Sequence, residues 1–365
     1  MMNNNLKRML PKLLLFLVVS VALIIVITSL NDMSQIGNVL GNVSWGWLAA
    51  GFGMLIIYMF ANPFSLFILG RSKETKVSYA NSMMIGTMEY FFNGITPFSS
   101  GGQPFQVYAY NKIGVKPHRS SGILLINFVV TQTTIVFLCL MSLIFYQELT
   151  KNTTHLEVMI IIGLTMNFLI LGLFTSLGLS KTVRKIMVKL VTKLLSLKIF
   201  KGKLEKYICS FENYCNEAQA TFKSLLKQKL KFACCLITKL IGLLAFYSIP
   251  FFILRSLHIE IGVDKLALIT AMTTFAVAMT CFIPTPGSAG GIEFAFQSLF
   301  MTIIPTADSS IAVSGMLLWR LLTYYFLMVV SFIVYLIFER IAKMPPEELE
   351  EESDEIMGEE TQIID

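Results

Sequence analysis

Apolar residues along this chain fall into long blocks, not into the two-residue alternation of a strand or the narrow stripe of a surface helix. A hydrocarbon core of about 30 Å is crossed by roughly 20 apolar residues in helix. Five blocks nearly free of charge reach that length, at residues 11–30, 47–69, 121–146, 158–179 and 311–338. A sixth, 232–254, spans if Lys239 is tolerated. Two more apolar stretches, 77–110 and 265–304, are each broken in the middle, by NGITPFSSGGQP (93–104) and IPTPGSAGGIE (283–293). Proline lacks a backbone donor and paired glycines form helix poorly, so neither break continues a helix. The pattern predicts an all-α polytopic membrane protein with six full spans and two re-entrant helical hairpins.

Composition excludes a soluble domain: 55% of residues are hydrophobic and 14% charged, against about 25% charged in ordinary soluble domains. The first block follows Lys7 and Arg8 as a signal peptide would, but its length and the lack of a small-residue cleavage site after it make it a retained span. The six cysteines form no C-x-x-C, and Cys139, Cys234, Cys235 and Cys281 lie in apolar helices. Neither a disulfide framework nor a metal site is expected.

Orientation follows the Lys/Arg content of short loops. Lys7, Arg8 and Lys12 put the N-terminus in the cytoplasm, and the loop 31–44, without Lys or Arg, lies outside. Arg71, Lys73 and Lys76 are inside again, as are Lys112, Lys116 and Arg119, so 77–110 must enter and leave by one face. The loop 147–157 then lies outside and the basic segment 181–231 inside. His258, Glu260 and Asp264 begin an outer loop, the second hairpin enters from outside, and the last span returns the chain to a cytoplasmic C-terminus. This organisation is one membrane domain, 1–344, followed by an acidic tail, 345–365, expected to be disordered.

The two breaks align as T-P-x-S-[SA]-G-G-x-x-F, from Thr96 and from Thr285. A common turn chemistry could give so short a match. The order span, span, hairpin, span in each half argues instead for a repeat, 11–147 and 157–338. Three full spans per half make the second copy inverted. Inverted repeats with corresponding Gly/Pro interruptions are the build of secondary transporters, with the site near the midplane. Broken helix ends leave backbone N–H groups at depth, tolerable only against protein, water or a ligand. Helix N-termini after Gly101-Gly102 and Gly290-Gly291 would favour an anion, and a phosphate suits them.

Four ionisable residues fall inside apolar segments: Glu89, Lys239, Glu293 and Arg320. Each costs about 2.5 to 3.5 kcal/mol at the centre of a span. Lys239 lies near enough to the cytoplasmic end to snorkel. Arg320 lies deep, and serves either as an ion-pair partner for Glu293 or as a cation for a lipid phosphate. Glu89 stands one turn before the first break, in a helix-end or coupling role. Thr96, Ser99, Gln103 and Gln106, with Thr285 and Ser288 at the second break, complete the candidate substrate-binding set. Asn127, Thr131 and Thr134 form one polar stripe at helical spacing, open to interhelical bonding or to lining a path.

Lys181, Lys185, Lys189 and Lys193 recur every fourth residue among apolar positions. A basic amphipathic helix over 181–200 suits an anionic leaflet, a solvated connector being the alternative; no nucleic acid is expected. No catalytic cluster, nucleotide loop or cofactor motif is evident. His118, His155 and His258 are all expected in loops.

TPFSSGGQPFQVYAYNKIG followed by an apolar span, and later PTPGSAGGIEFAF, resemble the two signature segments of the flippase-like membrane family. That family includes the transmembrane region of lysylphosphatidylglycerol synthases, the multiple peptide resistance factors of bacteria. The resemblance covers nearly the whole chain. It implies a bacterial plasma-membrane protein handling phospholipid or another phosphate-linked lipid. In the full-length synthases a soluble C-terminal domain transfers lysine from lysyl-tRNA to phosphatidylglycerol, and the membrane part is associated with moving the product across the bilayer. Only about 25 residues follow the last span here, so that domain is expected to be absent or supplied by a separate partner. The expected function is translocation of an anionic or aminoacylated phospholipid. A membrane-embedded transferase is the alternative, and a small-anion transporter the third reading. The sequence sets no oligomeric state.

Overall fold

The computed structural model describes residues 41–71, 77–145, 147, 154–195, 204–280, 283–303 and 309–342. The block 11–30 and the tail 345–365 lie outside them. Helices α1 (Trp45–Gly70), α2 (Tyr79–Ile95), α3 (Gly102–Lys112), α4 (Pro117–Ser142) and α5 (Thr154–Leu179) are followed by α6 (Lys181–Leu195) and α7 (Leu204–Leu226). Then come α8 (Lys229–Ser256), α9 (Leu266–Thr280), α10 (Gly291–Ile303), α11 (Ser309–Arg320) and α12 (Leu327–Ile341). Between α11 and α12 the chain stays helical through a π-turn, Leu321–Phe326.

Six helical stretches among the described residues are long and apolar enough to cross a membrane. Five match sequence-predicted spans; the sixth, Val263–Thr280, is the first arm of the expected second hairpin. That arm is uncharged after Lys265, so its length and composition alone make it a candidate span.

Local signals place the helix starts. Ser78 caps α2, its Oγ accepting from the Asn81 N–H at 3.1 Å. Proline at the first position opens α4. The most extensive pairing is α1 with α8. Small residues let them approach: a Cβ on Gly242 would lie 2.4 Å from the Ala61 Cβ. Within α1, Pro63 is covered by Gly86 of α2, where an added Cβ would lie 2.8 Å from the proline Cα.

The last span reaches into α2 as well. Ser331 Oγ accepts from the Phe91 N–H at 2.9 Å and donates to the Thr87 carbonyl at 2.6 Å. A regular turn joins that N–H and carbonyl directly, so the hydroxyl sits inside the hydrogen-bond ladder of α2, one of the recognised ways a helix is opened. The insertion lies beside Glu89, just before the first break.

Loop ends meet in several places. Ser44 N–H donates to the Ser256 carbonyl at 2.8 Å, and the His258 ring lies 2.8 Å from the Asn42 carbonyl. Elsewhere Lys231 Nζ donates to the Arg71 carbonyl at 2.7 Å, and Lys112 pairs with Glu339 at 2.7 Å. Gly70 packs against both Val77 and Tyr110, so the chain enters α2 and leaves α3 beside the same residue.

Candidate functional site

Each break is a short turn opened by a Thr-Pro pair, and the two pack against each other. Their backbones correspond position by position at the start. Thr96 (φ −112°, ψ 145°) matches Thr285 (φ −108°, ψ 151°). The second and third residues that follow are left-handed in both: Phe98 and Ser99 at φ 56° and 50°, Gly287 and Ser288 at φ 59° and 54°. Left-handed backbone is sterically costly for residues with a Cβ, so three of these four positions are strained.

The glycine pairs serve the turns themselves. Gly101 N–H donates to Thr96 Oγ1 at 2.8 Å, and Gly102 N–H to Asn93 Oδ1 at 2.9 Å. A Cβ on Gly102 would lie 2.6 Å from that same Asn93 oxygen, so only glycine admits the cap. In the second break Gly290 N–H donates to Glu293 Oε2 at 2.7 Å, and Thr285 Oγ1 donates to the Ala289 carbonyl at 2.9 Å. The Gly101, Gly102 and Gly290 N–H groups are thus engaged within the breaks.

Beside the turns lie two adjoining cavities of about 430 Å³ and about 540 Å³. Tyr58, Tyr90, Asn93, Phe98 and Ser99 line both. The first holds Glu89, Lys239, Asn62, Gln103, Gln106, Asn127 and Thr131; the second holds Ser288, Trp319 and Arg320. Thr96, Thr285 and the four glycines stand outside both walls.

Lys239 does not snorkel. It is 5% exposed and its ammonium donates to Asn62 Oδ1. The position on α8 allowed escape toward the helix end, but the side chain faces the bundle interior, where Asn62 links it to Glu89. Asn62 Nδ2 donates to Glu89 Oε2 at 2.5 Å, joined by Gln106 Nε2 at 3.2 Å; Asn93 Nδ2 reaches Oε1 at 3.4 Å. Three neutral amides therefore hold this carboxylate, and the cation stands one amide away. Asn127 Nδ2 donates to Asn62 Oδ1 at 3.3 Å and its Oδ1 accepts from Ser65 at 2.9 Å. Among the described residues, Thr134 of the same stripe bonds only its own helix, at the Val130 carbonyl.

The second carboxylate is held by a direct ion pair. Arg320, 6% exposed, places Nε and Nη2 each 2.6 Å from Glu293 Oε1. Its Nη2 also donates to the Gly287 carbonyl at 3.1 Å, fixing the turn. The guanidinium lies 4.9 Å over the Tyr324 ring. Tyr324, presented by the π-turn, donates its hydroxyl to the Gly94 carbonyl at 3.0 Å and so ties the second break to the end of α2.

This arrangement of two Thr-Pro breaks lies within a match to the profile described as lysylphosphatidylglycerol synthase TM region, over residues 13–331. The chain belongs to the lysylphosphatidylglycerol synthase TM region family. The matched segment contains both breaks, Lys239 and Arg320. No individual curated protein matches the chain. For a member of this family, membrane spanning agrees with the six apolar helices.

Several site residues carried no flag in the sequence. Asn62, Asn93, Gln132, Asn167 and Tyr324 all line the cavities. Asn62 had the best available signal, an isolated amide in an otherwise uncharged span just before its proline. Gln132 and Asn167 pair across α4 and α5 at 2.6 Å, a partnership that depends on how the two helices are rotated.

Proposed function

We propose that this protein moves a phosphate-bearing lipid between the leaflets of a bacterial plasma membrane, the head group passing through the adjoining cavities while the acyl chains stay in lipid. The observation that carries this reading is the apposition of two strained helix breaks over largely apolar cavities that hold Lys239 and Arg320. Irregular backbone at membrane depth is tolerated where it lines such a space. The matching φ values of the two turns support an inverted repeat, and the shared approach of Val77 and Tyr110 to Gly70 supports a re-entrant first hairpin. On this reading both termini are cytoplasmic. Helix α6, with Lys185 and Lys189 exposed beside Ile186 and Leu190, rests on the anionic leaflet.

The test is head-group accessibility of fluorescent phosphatidylglycerol and lysyl-phosphatidylglycerol in proteoliposomes, native chain against Arg320→Ala and Glu293→Gln. Movement that both substitutions abolish, in protein that still elutes as a folded species, is the expected result. No movement of either lipid by the native chain overturns the reading. The family's description as part of a synthase favours a second one, a membrane-embedded lipid transferase. Transfer of lysine to phosphatidylglycerol by the purified chain, supplied with lysyl-tRNA, would establish that alternative.

A further inference from the structure

Two of the three charged side chains lining the two cavities are cations, and this bears on which head group fits. Among the described residues, the charged groups on the walls are two cations, Lys239 and Arg320, and one carboxylate, Glu89. Glu293, which compensates Arg320, stands outside the lining. Glu89 already accepts from Asn62, Asn93 and Gln106, so little of its acceptor capacity is left. Lys239 carries three N–H donors, and Asn62 is its one acceptor among the described residues. Arg320 engages Nε and Nη2, while Nη1 has no partner among the described residues. The buried indole N–H of Trp319, on the wall of the larger cavity, has none either. A buried donor without a partner is costly, and a ligand acceptor would relieve that cost.

An aminoacylated head group brings the opposite of what these walls lack. Lysyl-phosphatidylglycerol adds two ammonium groups, all donors, to a space that already faces two cations. A phosphate esterified to glycerol or to a sugar brings anionic oxygens and hydroxyls, which accept from Lys239, Arg320 and Trp319 and which the Gln103 amide can both donate to and accept from. We infer that the cavities select an anionic polyol-phosphate head group over an aminoacylated, cationic one. This rests on the lipid-translocation reading for its substrate class, but it concerns what the site retains, not whether the retained lipid moves.

The experiment is native mass spectrometry of the purified full chain, given an equimolar mixture of phosphatidylglycerol and lysyl-phosphatidylglycerol with matched acyl chains. Retention of phosphatidylglycerol in preference by about tenfold, the effect of one charge-assisted hydrogen bond or more, is expected. Lys239→Met should remove most of that preference and Lys239→Arg should keep it. Trp319→Phe keeps the ring and deletes the unpartnered donor; it should weaken phosphatidylglycerol retention several-fold even if Lys239→Met does not fold. Soluble glycerol 1-phosphate should displace the lipid. Equal or better retention of lysyl-phosphatidylglycerol overturns the inference, as does a preference unchanged in both Trp319→Phe and a folded Lys239→Met. Glycerol 1-phosphate bound with no lipid retained overturns the lipid half of it. If both lipids change leaflets equally while binding is unselective, this inference falls and translocation stands. Selective retention with no movement leaves the site assignment standing and removes translocation.

Discussion

The two breaks open on the same backbone path and differ in how they hold a partly buried carboxylate. In both, a Thr-Pro pair leads into left-handed residues. At the first, Glu89 is held by Asn62, Asn93 and Gln106, with Lys239 one amide away. At the second, Glu293 is clamped directly by Arg320, which also binds the turn at the Gly287 carbonyl. The second position of the turn differs as well: Phe98 is 57% exposed, whereas Gly287 lies under the Tyr324 ring. The two breaks therefore share their opening turn and differ in the charges around it. A carboxylate held by neutral amides can lose its charge without stranding a direct partner; one in a tight ion pair cannot.

The largest expected effect follows from that difference. Arg320→Ala leaves Glu293 buried without its cation, and breaking a buried pair in this way costs about 3 to 5 kcal/mol. Glu89→Gln should cost about 1 to 2 kcal/mol, because the surrounding amides can turn to meet a neutral group. Thermal unfolding of both variants in one detergent measures the gap, and equal losses would break the comparison. Next comes Gly287→Ala. Its Cβ would sit 2.2 Å from the Tyr324 ring, on backbone at φ 59°. Left-handed strain of about 1 to 2 kcal/mol adds to overpacking of about 1 to 3 kcal/mol. Combining it with Tyr324→Ala should recover the overpacking part only; full additivity of the two losses would mean that the ring is not the obstacle.

The sequence made some of this visible and hid the rest for physical reasons. Apolar runs nearly free of charge disclosed α1, α4, α5, α8 and the last span, because nothing else explains so many consecutive apolar residues. The breaks were legible because proline and paired glycines crowd into one short segment at each, a combination that a continuous helix carries poorly. The Glu293–Arg320 pair was legible because each charge is too costly alone at depth. Helix rotation was not visible. It decides that Lys239 points inward, that Asn62 bridges it to Glu89, and that Gln132 finds Asn167. The π-turn that presents Tyr324 and the Ser331 hydroxyl set into α2 arise from packing between helices, and no local pattern announces them.

The first break has a further tie that sharpens the contrast. Its outgoing helix α3 ends at Lys112, which pairs with Glu339 of α12 while lying 5.1 Å from the Tyr108 ring centroid. Burial alone would lower the Lys112 pKa, but the hydrogen bonds of Glu339 and Tyr108 and the charge of Glu339 outweigh it and hold it above the ordinary lysine value. A raised folded-state pKa gives stability that is full below the ordinary lysine value and is lost as pH rises through the raised one. Lys112→Met should therefore cost about 1 to 3 kcal/mol at neutral pH, since this half-covered pair is hydrogen-bonded. The loss should stay constant from about pH 6 to 9 and shrink only at strongly alkaline pH. A loss that varied across the neutral range would assign the titration to another group.

Phe98→Gly should have the smallest effect, and its sign is informative. Glycine relieves left-handed strain of about 1 to 2 kcal/mol at φ 56°. Against that, the unfolded chain gains freedom worth about 0.5 to 1 kcal/mol, and the half-exposed ring gives up part of its contact with the cavity wall. The terms nearly cancel, so unfolding should shift by no more than about 1 kcal/mol in either direction. The same position in the second break already carries glycine, so Phe98→Gly gives the two turns the same residue there. A loss well beyond that range would mean that the Phe98 ring, not the turn, holds the first break in place, and the two breaks would then share a shape reached for different reasons.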